Sequence, residues 1–106
     1  MAWVYLILAG ILEILWAYSM KQSSGFTRVV PTAVMLVAMI GSFGLLSLSM
    51  KTLPLGTAYP IWTGIGTIGT FLVGIAILGE AFTMLRIIAA MLIMAGLIMM
   101  RISSPA

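Results

Sequence analysis

Four long apolar stretches, separated by short polar ones, organise the chain: residues 2–20, 29–50, 52–79 and 87–100. Glu13 is the one charged residue inside them. A membrane-spanning helix needs about 20 mainly apolar residues. The last stretch is shorter, but Arg86 and Arg101 can carry their heads to the interfaces, and Leu85 and Ile102 lengthen its apolar run. The pattern predicts one transmembrane domain over residues 1–106, with helices at about 2–20, 30–50, 56–79 and 85–102. The breaks carry turn punctuation. "KQSSGFTRVVP" sets Ser23, Ser24 and Gly25 between Lys21 and Arg28, ahead of Pro31, which fits a turn followed by a proline in the first turn of the second helix. "KTLPLGT" turns through Pro54 and Gly56, and "GEAFTMLR" holds Glu80 and Arg86 near the interface. Residues 1–20 lack a basic leading region and are long enough to span, so they read as a retained helix rather than a cleaved signal peptide.

Composition narrows the class. The chain is 63% hydrophobic and 7% charged, where a soluble domain carries roughly 25% charge. Cysteine and histidine are both absent, which excludes disulfides and thiol chemistry and leaves two glutamates as the carboxylate donors. A metal site is therefore not expected, and no cofactor is implied. The net charge of +3 lies at helix ends, without a basic stripe, so it reads as anchoring to membrane lipid and not as nucleic-acid binding. With four spans, Lys51 and Arg101 face one compartment and Lys21, Arg28 and Arg86 the other. A bias of three against two is compatible with insertion in both orientations, so dual topology and an antiparallel dimer are expected. Four helices alone enclose little space, which also favours a dimer. Ala89 and Gly96, seven residues apart on one face of the fourth helix, suit close backbone approach, either between protomers or within one.

The chemistry centres on "GILEILWAYSMK", where Glu13 stands among apolar and aromatic residues. An acid at the centre of a span costs roughly 2.5 to 3.5 kcal/mol on insertion scales, so its presence points to a task. Helical steps align Leu6, Gly10, Glu13 and Ala17. Gly10 and Ala17 leave room for a small ligand or serve as helix contacts. Trp16 can donate its indole N–H to Glu13 or act as a packing residue. In "GTAYPIWTGIGTIGT", Tyr59 and Trp62 share a face on which a cation could stack for about 0.5 to 2 kcal/mol, the alternative being an interfacial aromatic belt. The run of Gly64, Gly66 and Gly69 predicts a bend near 64–66; no basic residue follows, so it is not a phosphate loop. Ser42 is a candidate for fixing the carboxylate, or else bonds its own helix. The ten methionines read as adaptable apolar filler.

Taken together, "AGILEILWAYSMK", "GFTRVVPT", "LSMKTLPLGTAY", "WTGIGTIGT" and "LGE" resemble the small multidrug resistance family from end to end. The tryptophan three residues after the glutamate and "WTGIG" resemble its guanidinium exporter subtype. The resemblance implies an all-α membrane protein, with four transmembrane helices per protomer in an antiparallel dual-topology dimer of the bacterial inner membrane. It further implies export of guanidinium and small substituted guanidinium cations in exchange for protons, and no enzymatic activity. By the same likeness Glu13 is the shared site for proton and cation, Gly10, Trp16, Ser42, Tyr59 and Trp62 form the pocket around it, and Gly64 and Gly66 form the hinge. Pro60 departs from the small residue that usually follows the tyrosine, beside a pocket position. Three rival readings follow: an exporter of quaternary ammonium and other hydrophobic cations, one half of a heterodimer with a paired homologue, and a non-transporting membrane interaction protein.

Overall fold

The structure, a computed structural model, describes residues 1–103. Its elements are α1 (Ala2–Gln22), α2 (Val29–Ser49), α3 (Leu55–Ala76) and α4 (Met84–Ser103). Each is long and apolar enough to cross a membrane. No strand occurs among the described residues.

The boundaries follow from local chemistry. After α1, the Ser23 hydroxyl donates to the Met20 carbonyl at 2.7 Å and accepts the Phe26 amide at 3.1 Å. Ser24, Gly25 and Phe26 then take positive φ angles of 51°, 72° and 69°, which reverse the chain. Pro31 sits in the first turn of α2, where its missing amide has no intrahelical acceptor to satisfy. α3 stops three residues before the predicted limit at 79, because Gly79 at φ 68° folds the chain back and lets the Glu80 amide reach the Gly74 carbonyl at 2.9 Å. α4 opens beneath Thr83, whose hydroxyl accepts the Arg86 amide at 3.2 Å.

Packing is uneven. α1 packs along both α2 and α3, whereas α4 packs along α3 and reaches α1 where Arg101 stands over Trp3. Leu6, Ala9, Leu46, Leu53, Ala58, Ile61 and Trp62 form the buried core, drawn from α1, α2, α3 and the turn before α3. No residue of α4 is buried. The Cα frame measures 43 × 34 × 16 Å, a slab about two helix layers thick. Lipid tails are as apolar as these side chains, so helix association here depends on close fit and internal hydrogen bonds.

Both ends of the slab are basic. One holds Lys21 and Arg86 together with Glu80 around an open cavity of about 390 Å³. The Arg86 guanidinium stands over the Phe71 ring at 5.3 Å. At the other end Lys51 lies near Trp3, and the Arg101 guanidinium stacks 4.4 Å from the Trp3 ring centroid.

Candidate functional site

Glu13 sits mid-helix on α1, half-buried, with its carboxyl group laid against the backbone of α3 at Gly66. Its Oε1 atom is buried and finds no hydrogen-bond partner in the protomer. Trp16 lies one turn further along the helix, and its indole Nε1 is likewise buried without a partner. The expected Trp16–Glu13 bond is therefore not formed. Two orphaned polar atoms one helical turn apart in an apolar span are costly, and such atoms mark places that take up a proton, water or a ligand.

Ser42 differs from its expected role. Its hydroxyl donates to the Ala9 carbonyl at 2.7 Å and accepts the Trp62 indole N–H at 2.9 Å. Ser42 is fully buried and Trp62 nearly so. The hydroxyl thus bonds neither Glu13 nor its own helix. It ties α2 and α3 to the α1 carbonyl one helical turn before Glu13, a position that holds the carboxylate's turn in place.

Aromatic rings line up across the three helices. Tyr59 and Trp62 pack with centroids 5.4 Å apart, sharing a face as their spacing predicts. Phe43 then meets Trp62 edge-on at 5.8 Å and Trp16 at 6.4 Å. Phe43 was not foreseen: an aromatic without a polar handle in an apolar span looks like lipid-facing filler. Its place directly after Ser42 in "GSFG" was the available signal. The rings of Tyr59, Trp62, Phe43 and Trp16 form a continuous string from α3 through α2 to α1, and its last member lies one helical turn from Glu13.

The remaining residues separate. A Cβ on Gly10 would overlap Ile65, so Gly10 is a helix contact and gives a ligand no room. Ala17, on the other side of Glu13, lines the open cavity with Thr67 and Thr70. Gly64 and Gly66 are both buried and both receive a neighbour's side chain, Leu97 at the first and Glu13 at the second. Beside them the Thr67 and Thr70 hydroxyls each bond a carbonyl four residues back at 2.8 Å, a pattern that favours helix bending. α3 begins with Pro54 as its N-cap, so Pro60 is an interior helical residue and leaves the Gly56 carbonyl without its usual donor. Pro60 and Tyr59 are exposed on the protomer surface. Ala89 is exposed, and a Cβ on Gly96 would meet nothing within 4 Å. Gly96 is open ground on α4, while Ala89 borders a small crevice against Thr67 and Phe71 of α3.

Known proteins resemble this chain along its length. Residues 1–93 match the family model described as Small Multidrug Resistance protein. A protein named "Guanidinium exporter" from Yersinia pestis is 49% identical over 104 residues, covering 98% of this chain and all of its own. Proteins of the same name from Citrobacter freundii and Salmonella typhimurium (strain LT2) are 45% and 46% identical over 104 residues, covering 98% of this chain and 99% of their own. With its four apolar spans, the chain belongs to the small multidrug resistance family and is a multi-pass protein of the bacterial inner membrane.

Proposed function

We propose that this protein exports guanidinium and small substituted guanidinium cations from the cytoplasm in exchange for protons, working as an antiparallel homodimer. The observation that carries the reading is the Glu13 carboxyl group: it stands in an apolar span with Oε1 buried and without a partner, one helical turn from Trp16, the last ring of the string that begins at Tyr59. The name shared by relatives at 45 to 49% identity supplies the cation. A planar guanidinium is a flat fork of N–H donors that matches two carboxylate oxygens, while its faces suit aromatic rings.

A proton and a guanidinium neutralise the same carboxylate, so only one is held at a time. Exchange follows from that competition. A site loaded with either species is free to reorient, whereas an empty ionised site is held back by the cost of carrying bare charge through lipid. Two features favour a dimer. Glu13 is only half-buried within one protomer, and α4, with no buried residue, offers Ala89 and Gly96 for close approach by a second copy. In an antiparallel pair the two subunits exchange roles, so inward-open and outward-open forms have equal energy. A bend of α3 near Gly64 and Gly66 would let the two copies differ in shape.

Purified protein in liposomes tests the reading through currents evoked by guanidinium and by a bulky tetraalkylammonium, with Glu13→Gln as control. Guanidinium currents abolished by Glu13→Gln are expected. Tetraalkylammonium currents of equal size would place the chain among broader exporters. Silence with both cations from a well-folded dimer would overturn the proposal.

A further inference from the structure

α1 and α3 interlock through glycines, one on α1 and two on α3. Ile65 enters the space at Gly10, and Ile14 enters the space at Gly69. Between them Gly66 receives the Glu13 carboxyl group and not a hydrocarbon. A Cβ on Gly66 would overlap Oε1 and the carboxyl carbon of Glu13 and press on its Cγ at 2.8 Å. Gly66 is itself buried, and its carbonyl is held by the Thr70 hydroxyl at 2.8 Å, so the backbone forming this notch is braced.

We infer that Gly66 is a positioning residue for Glu13: the side chain it lacks is the notch that seats the carboxyl group, and so fixes where proton and cation meet it. The inference rests on the exchange reading above, but it assigns Gly66 a role distinct from bending. A hinge depends on backbone freedom at residue 66 and is indifferent to the length of side chain 13. A notch depends on that length. A methyl group at 66 takes the space of the carboxyl, and shortening residue 13 by one methylene withdraws the carboxyl from it.

The test is a double-mutant cycle in proteoliposomes, with kcat and KM for guanidinium measured for wild type, Gly66→Ala, Glu13→Asp and the pair. Each single substitution is expected to raise KM about tenfold. In the pair, Glu13→Asp is expected to recover at least about threefold of the kcat/KM lost to Gly66→Ala. Losses that simply multiply would overturn the inference. Gly69→Ala meets Ile14 instead, so its loss should multiply with that of Glu13→Asp; recovery there would mean that a shorter residue 13 merely loosens the interface, and would overturn it too. Should Gly66→Ala fail to assemble, assembly regained in the pair supports the notch and continued failure refutes it. A wild type that moves no guanidinium sinks both the exchange reading and this inference. A transporting wild type with multiplicative losses sinks the inference alone.

Discussion

The Trp62 indole donates to the Ser42 hydroxyl oxygen at 2.9 Å, and through that hydroxyl is joined to the Ala9 carbonyl on α1. Three helices therefore meet at one oxygen atom. Ser42→Ala removes both bonds and leaves the Trp62 N–H buried and unpaired. It is expected to destabilise the folded protein by about 1 to 2 kcal/mol, read from unfolding in detergent. Stability equal to wild type would show that the bond contributes nothing net.

Glu13→Gln keeps the shape of the side chain and removes its charge and its titration. Assembly is expected to match wild type, since nothing in the protomer bonds Oε1. Proton-coupled transport should be lost. In the wild type, protons and guanidinium compete for the same oxygens, so the apparent affinity for guanidinium should fall as pH falls. Binding measured by calorimetry across pH checks the sign: affinity independent of pH would contradict a shared site.

Trp16→Gly deletes the ring that ends the aromatic string and its edge contact with Phe43 at 6.4 Å. The space released lies one helical turn from Glu13. The ratio of tetraalkylammonium to guanidinium current is expected to rise about tenfold or more, a shift typical of reshaping an apolar pocket. An unchanged ratio would remove Trp16 from the pocket.

Pro60→Ala returns an amide to the interior of α3, where the Gly56 carbonyl lacks its donor. Thermal unfolding should shift upward by the equivalent of about 1 kcal/mol or more. A lower midpoint would show that the proline ring contributes packing worth more than the missing bond.

Lys21, Arg28 and Arg86 stand at one end of the slab, and Lys51 and Arg101 flank Trp3 at the other. So small an asymmetry predicts insertion both ways round. A reporter fused to the C-terminus should be found on both sides of the membrane. Its restriction to one side would count against an antiparallel homodimer.

The helices were legible because charge and turn residues mark their ends, and Glu13 because an acid stands out in a span. The third helix ends before its apolar run does, since "AILG" is apolar to its last residue and only the positive φ of Gly79 turns the chain back. Partners were harder to read. Gly10 lies on the same helical stripe as Glu13, but the crossing of α1 and α3 decides what faces it, and that turned out to be Ile65. Ser42 was legible as a polar residue that needed a partner. Its choice of the Ala9 carbonyl over the carboxylate depends on the height at which α2 crosses α1, which no local pattern encodes.

α3 has bare backbone at two places two residues apart: Leu97 of α4 presses into it at Gly64, and Glu13 of α1 rests on it at Gly66. At this depth α3 is a thin partition with a lodger on either wall. A displacement of the outermost helix thus reaches the carboxyl group through main chain alone, with no intervening side chain to flex and absorb it.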